Sequence, residues 1–393
     1  MCTDFESDFK EKAIIGPCVE DPMSIIAGSF LSVIFLVAFI LNLMVMVTVS
    51  TSYTLKRFLY CHLLINLCLA SMVDCLFNLS IAIGYVFTTQ WRFGYEINYL
   101  NSFTMNMMNS VMGFAVLMLA IDRLASSKKY NSCFYASQSD LAIMILTTWV
   151  LSFLMAVPLV IGRIKSMPYR NRYSCSVADP RDDSYLIFHL VLVVCVPPVV
   201  MVVLVCISSV IFFRERRKEM TNKGNQMAGF FERRTNSSYY QNEFHIAVFV
   251  TCTVVGYLAF WLPFTALTTI NPMLTQDWAS ETTGGSGRST NPVANATNVA
   301  NSTSSNATSN ASKSTNGVGI IPEIIGSPIF DTVAVWFRFS FHVLMPVLVL
   351  IILREVRAKC KDLVTCRRQE SVDVASLMPT QGSRKKSTAF YLA

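Results

Sequence analysis

Long apolar runs alternate with short polar segments along most of the chain. A helix needs about 20 apolar residues to cross the core of a bilayer. Seven runs reach that length, and apolar residues do not alternate with polar ones within them as they would in barrel strands. The sequence therefore predicts an all-α membrane protein, a bundle of seven transmembrane helices. The predicted spans are 24–49, 58–86, 100–121, 141–162, 185–213, 244–271 and 327–353.

Composition supports this prediction. Of the 393 residues, 53% are apolar and only 15% are charged, whereas soluble domains carry roughly 25% charged residues. These values exclude a disordered chain and argue against a single soluble domain.

Lysine and arginine set the predicted orientation, because they favour the cytoplasmic side. With the N-terminus outside, most of the 32 basic residues fall in the inner loops and the tail. The acidic N-terminus lacks the basic start and short apolar run of a signal peptide. We expect an extracellular segment 1–23, a bundle 24–353 and a cytoplasmic tail 354–393, in the plasma membrane.

The segment 272–325, between spans six and seven, is rich in Ser, Thr, Asn and Gly. Such a composition cannot build a core, so we expect this outer loop to be disordered. Asn-x-Ser/Thr sites are glycosylated only on the lumenal side, which agrees with the orientation, although in so biased a stretch some arise by chance. The predicted glycosylation sites are Asn295, Asn301, Asn306 and Asn310.

Short motifs occur in most spans, and their order along the chain resembles that of the rhodopsin-like (class A) G-protein-coupled receptors. We identify the chain as a divergent member of that family over about 24–353. The family motifs in question are Asn-Leu-x-x-Ala-Asp, Trp-x-Phe-Gly, Asp-Arg-Tyr, Cys-Trp-x-Pro and Asn-Pro-x-x-Tyr. Their counterparts here are Asn-Leu-Cys-Leu-Ala at 66–70, Trp-Arg-Phe-Gly at 91–94, Asp122-Arg123-Leu124, Phe-Trp-Leu-Pro at 260–263, and Met345-Pro346.

The resemblance implies a receptor that transduces an extracellular ligand to heterotrimeric G proteins, with arrestin as a further candidate partner. Asp122 and Arg123 would form the G-protein contact. The alternative is that Arg123 is an ordinary basic residue at the membrane surface. Pro263 and Pro346 interrupt backbone hydrogen bonds and permit kinks. Trp261 would sense the bound ligand and transmit its presence as a bend in span six. The alternative is that Trp261 is an ordinary packing residue.

Several residues depart from the family pattern, and these departures weaken the prediction of a signalling receptor. Ser71 replaces the family's aspartate in span two, and the remaining positions of the family's sodium pocket hold Met112 and Met345. Methionine is a poor ligand for a hard cation, so we expect no sodium dependence. We also expect no bound metal and no cofactor. Leu124 and Val349 replace tyrosines, which keeps open a receptor-like protein that signals little.

The family's usual disulfide joins the outer end of span three to the second outer loop. That loop keeps Cys175, but the span-three position is Asn98. A Cys18–Cys175 bond would suit the oxidising compartment. The alternative is that these cysteines and Cys2 are unpaired or intermolecular.

Asp74 and Arg338 lie deep inside predicted spans, where a charge is costly and needs a partner. Asp74 lies in span two and Arg338 in span seven, at levels that face each other in this family's fold, and we predict an ion pair. It would either lock the two spans together or leave Arg338 to bind an acidic group of the ligand. His342 shares the helix face of Arg338 and is either a core histidine or a proton sensor.

The ligand class follows partly by exclusion. Amine receptors of this family carry an aspartate where this chain has Met105, and retinal-binding members carry a lysine where it has Phe339. The predicted pocket comprises Met105, Met108, Trp261 and Arg338. The basic, aromatic second outer loop suits a peptide or an acidic lipid, and we favour a peptide.

Beyond span seven, Val356, Cys360 and Leu363 recur at helical spacing, which predicts a short amphipathic helix along the membrane. Cys360 or Cys366 is a candidate for palmitoylation. A transporter or channel is less favoured because no repeat is present. An enzyme is not expected, since no span offers a metal-spaced cluster, a Ser-His pair or a phosphate loop. Nothing indicates nucleic acid as a partner.

Overall fold

The computed structural model describes residues 22–88, 91–128, 138–161, 166–169, 172–177, 183–223, 230–270 and 328–365. Several predicted sites lie outside these ranges, namely Cys18, Cys366 and the four glycosylation sites in the loop 272–325.

Seven helices in the described ranges are long and apolar enough to cross a membrane, which confirms the predicted seven-helix bundle. Spans one, three and four are the single α-helices Pro22–Thr51, Gly94–Lys128 and Gln138–Val160. Span two comprises Leu59–Asp74 and Ser80–Thr88, and span five comprises Asp183–His189 and Val196–Lys223. Span six comprises Phe230–Gly256 and residues 262–270, and span seven is Pro328–Ile352.

Span three lies at the centre of the bundle. In span three, 67% of the most apolar stretch is buried inside the bundle, against 28% in each of spans one, four and five. The polar residues of span three must therefore find partners within the protein, whereas the outer spans expose apolar side chains, as lipid contact requires.

Three spans contain a π-helical turn, which re-aims the side chains around it and is frequent at functional sites. The turns are Cys75–Leu79, Leu190–Cys195 and Tyr257–Trp261. The last two end two residues before Pro197 and Pro263, whose rings would otherwise clash with the preceding helical turn. The first has no proline and directly follows Asp74.

The bundle also carries one small hairpin between spans four and five, which the hydrophobic pattern did not predict. Strand β1 (Ser166–Tyr169) pairs with β2 (Ser174–Val177) in antiparallel register, with Pro168 opposite Cys175. Tyr173, just before β2, adopts a left-handed backbone with φ 48°. Following the predicted orientation, we call the hairpin end of the bundle the outer end and the Arg123 end the inner end.

A short inner-face helix, Arg354–Val364, follows span seven after a break at Leu353. Val356 and Cys360 face the bundle, and Cys360 is only 6% exposed, while Leu363 and Val364 are exposed. The predicted helix is thus present. Palmitoylation of Cys360 or Cys366 stays a prediction.

Candidate functional site

Asp74 is the centre of a buried polar cluster in the middle of the bundle. Arg338 Nη2 donates to Asp74 Oδ1 over 2.7 Å, and His342 Nε2 bonds to Asp74 Oδ2 over 2.7 Å. Asn78 Nδ2, one turn along span two, donates to Asp74 Oδ1 over 2.6 Å. All four side chains are fully buried. The two residues predicted to pair therefore lie in contact, with His342 and Asn78 as further partners.

Arg338 crosses the space between spans three, six and seven. Its Nε donates to Asn109 Oδ1 of span three over 3.3 Å. Three aromatic rings surround its guanidinium carbon, with centroids 4.5 Å away for Trp261, 4.9 Å for Phe339 and 5.1 Å for Phe264. Such contacts favour a cation at a desolvated position, so the rings offset part of the cost of burying this charge.

Trp261, the predicted switch residue, packs directly on the polar cluster. Its ring lies 5.2 Å from the ring of His342 and 5.8 Å from that of Phe341. Met108 belongs to the same core cluster as Trp261, while Met105 packs with Phe264 and Phe339. The structure thus brings Trp261 and Arg338 into contact and places the two methionines in adjoining clusters.

Span three is tied to the hairpin by asparagines rather than by a cysteine. Asn98 Nδ2 donates to the carbonyl of Ser166 over 2.8 Å and to its hydroxyl over 3.0 Å. The backbone N–H of Cys175 donates to Asn101 Oδ1 over 2.8 Å. Asn98 occupies the position of the family's cysteine, and hydrogen bonds make the connection there.

Cys175 is a buried free thiol among the described cysteines. Burial raises the pKa of its thiol well above the ordinary value, which disfavours the reactive thiolate. Its predicted partner Cys18 lies outside the described residues, so that pairing stays a prediction.

Asn101 also links the hairpin to the polar cluster. Asn101 Nδ2 donates to Asn78 Oδ1 over 3.2 Å, and Thr104 Oγ1 donates to the same oxygen over 2.6 Å. A continuous chain of hydrogen bonds therefore runs from the backbone of Cys175 through Asn101 and Asn78 to Asp74.

A second tie joins the hairpin to span seven. Arg172 Nε lies 3.2 Å from Asp331 Oδ2, and the Arg172 side chain is fully buried. The neighbouring Tyr173 packs on the cluster that contains Met105 and Phe339. Because the hairpin contacts span three on one side and span seven on the other, it crosses the outer mouth of the bundle.

We expect Asn101→Ala to loosen this hairpin. The change removes the acceptor for a buried N–H, which costs about 1–3 kcal/mol, so the Cys175 thiol should become reactive. The measurement is labelling by a membrane-impermeant maleimide in a background that lacks Cys2 and Cys18. Asn106→Ala is the control, because among the described residues Asn106 Nδ2 bonds within its own helix, to Ser102 O. Equal labelling of both variants would contradict the assigned role of Asn101.

At the inner end, Arg123 is held by an acidic residue of span six. Arg123 Nη1 donates to Glu243 Oε2 over 2.5 Å, and the side chains are 4% and 22% exposed. The guanidinium carbon also lies 5.7 Å from the ring of Phe212 in span five. Asp122 is buried beside it. Sequence reasoning missed Glu243, although an acid at the inner start of a span, next to a basic loop, was a usable signal.

Seven membrane-length helices enclose a buried charged cluster, and an arginine joins the inner ends of two of them, which defines a seven-helix membrane bundle. The family model described as "7 transmembrane receptor (rhodopsin family)" matches residues 41–304, more than half of the chain. The chain therefore belongs to the rhodopsin family of seven-transmembrane receptors, and this confirms the resemblance read from its motifs.

Solved structures agree on the fold. The crystal structure of squid rhodopsin matches with a TM-score of 0.67 and 16% sequence identity, covering 88% of this chain and 88% of that chain. No curated protein sequence matches the chain. The family match ends before span seven, the span in which Met345-Pro346 stands at the position of the family's Asn-Pro-x-x-Tyr.

Proposed function

We propose that this receptor transduces an extracellular ligand to heterotrimeric G proteins at the plasma membrane, with Arg123 as the coupling residue. The observation that carries the proposal is the ion pair between Arg123 and Glu243, which joins the inner ends of spans three and six. While the pair is closed, Arg123 is buried. When the two ends part, a buried cation becomes available to a cytoplasmic partner, either a G protein or arrestin.

The ligand end and the coupling end share span six. Trp261 and Glu243 lie on that span, about five helical turns apart. The π-helical turn at Tyr257–Trp261 and Pro263 weaken the helix between its two halves. A shift of Trp261 in the pocket would therefore bend span six and move Glu243 away from Arg123.

A peptide is the ligand class that we favour. Met105 and Phe339 replace the residues that amine and retinal receptors require, and both are fully or nearly fully buried in the cluster next to Arg338. The sequence of the second outer loop is rich in basic and aromatic residues, which suit a peptide with an acidic group.

A receptor that signals little is the rival proposal. Val349 is fully buried in the inner half of the core, at a position where the family pattern has a tyrosine. An aliphatic side chain cannot form a hydrogen bond there, so an open state would lack that support.

G-protein activation in cells, without ligand and with a peptide library, tests the proposal. We expect activation by the wild type and its loss in Arg123→Ala. Lys218→Ala is the matched control, because Lys218 is an exposed basic residue at the inner end of span five. Equal signals from wild type and Arg123→Ala would overturn the role of Arg123. Silence of every G protein, despite surface expression, would favour the rival.

A further inference from the structure

We propose that the ligand carries a carboxylate, and that this carboxylate binds Arg338 by displacing Asp74 from it. The inference rests on the proposed receptor function, because it names the chemistry that the same pocket recognises. It also assigns the charged cluster a second state, in which Arg338 changes its partner.

The first observation is a pair of unused donors. Arg338 Nη1 and Trp261 Nε1 are both buried without a hydrogen-bond partner among the described residues. They lie on spans seven and six, and the guanidinium carbon is 4.5 Å from the Trp261 ring. Buried donors normally have acceptors, and each exception calls for an explanation. A ligand acceptor between the two spans would satisfy both.

The second observation is the geometry of the ion pair. An arginine can bind a carboxylate through two parallel N–H bonds, but Arg338 gives Asp74 only Nη2 and turns Nε to Asn109. Of the three guanidinium nitrogens, Nη1 alone lacks a partner among the described residues. A carboxylate that takes both Nη atoms would form the stronger, bidentate pair.

The third observation is that Asp74 would keep partners after the exchange. His342 Nε2 bonds to Oδ2 over 2.7 Å, and Asn78 Nδ2 donates to Oδ1 over 2.6 Å. Because these bonds do not involve Arg338, Asp74 keeps two hydrogen-bond partners when Arg338 binds the ligand.

The surroundings select an apolar acid. Phe264, Phe339 and Met105 form the neighbouring cluster, so the group that carries the carboxylate would pack against aromatic rings and a methionine. A peptide C-terminus with an apolar last residue fits this description, and a fatty acid offers the same chemistry from another source.

The test is binding to the purified full-length receptor in lipid nanodiscs, measured by calorimetry without any G protein. The probes are N-acetyl-phenylalanine and its amide, which differ in the carboxylate, and decanoate as the lipid acid. We expect the wild type to bind at least one of the two acids. If it binds N-acetyl-phenylalanine, we expect it to bind the amide at least tenfold more weakly. Acid binding by N-acetyl-phenylalanine points to a peptide-like source, and binding by decanoate alone points to a lipid source.

Two variants give opposite expectations. Asp74→Asn removes the competing carboxylate and should tighten acid binding at least tenfold. Asp74→Asn/Arg338→Gln removes both charges together, so it leaves no unpaired buried charge, and it should lose acid binding. A purely structural ion pair would not tighten binding in the first variant.

The inference is overturned if neither acid binds the wild type, if the amide binds as well as the acid, or if the double variant keeps acid binding. Because no G protein is present, a receptor that fails to signal can still pass this test. Conversely, Arg123-dependent signalling without acid binding would remove this inference and leave the proposed function intact.

Discussion

Replacing Arg338 with methionine should lower the free energy of unfolding of the receptor by about 3–5 kcal/mol, the range for breaking a buried ion pair from one side. The reason lies in Asp74, which would remain fully buried and hydrogen-bonded to His342 and Asn78 but without the guanidinium that balances its charge. The loss should appear as a lower midpoint of thermal unfolding of the purified receptor and as reduced surface expression.

A double-mutant cycle separates the pair from general damage. Asp74→Asn/Arg338→Met removes both charges and should be more stable than Arg338→Met, since the two changes are coupled. Arg354→Met is the control, because Arg354 is exposed on the inner-face helix. If the double variant is as unstable as the sum of the two single variants, the two residues do not stabilise each other and the lock is excluded.

Replacing Glu243 with glutamine should raise ligand-free G-protein activation about tenfold. Charge-assisted hydrogen bonds contribute about 1.5–3 kcal/mol, and Glu243 is 22% exposed, so solvent screening favours the lower end of that range. A shift of about 1.4 kcal/mol changes a two-state population tenfold. The measurement is guanine-nucleotide exchange on added G protein at equal receptor density.

The control for this prediction is Asp362→Asn, which removes a negative charge from the inner-face helix and should leave basal exchange unchanged. Glu243→Gln combined with Arg123→Ala should be silent, because the released arginine is the group that acts. Unchanged exchange in Glu243→Gln alone would show that this ion pair does not restrain the inner ends.

The sequence was sufficient for the bundle and for its charged centre, and the physical reason is the same in both cases. A membrane penalises any polar group that lacks a partner, so apolar runs mark the spans and exceptions such as Asp74 and Arg338 stand out. The family pattern placed the two residues at facing levels, and the structure puts them 2.7 Å apart.

Contacts made by ordinary polar residues could not be predicted in this way. Asn78 and Asn101 look unremarkable in a span, and their importance depends on which helix faces meet. The pairing of Arg172 with Asp331 depends on the path of a loop, which hydrophobic periodicity does not report. The hairpin was missed because its strands have four residues each, too few for a visible alternation.

The connection between span three and the hairpin was only partly predictable from the family pattern. Loss of the span-three cysteine was visible as Asn98, but its replacement by hydrogen bonds to Ser166 was not. The substitution at the motif position shows that the usual disulfide cannot form there. Only the three-dimensional contacts show that hydrogen bonds connect span three to the hairpin instead.

We propose that Arg123 and Glu243 hold the inner ends of spans three and six together, and that these ends part when a G protein binds. The most direct measurement is the distance between spin labels at Ala125→Cys and Phe244→Cys, in a receptor whose other reactive cysteines have been replaced. We predict a single short distance for the receptor alone, a longer one with nucleotide-free G protein, and a mixture of both for Glu243→Gln. One unchanged distance under all three conditions would contradict the account.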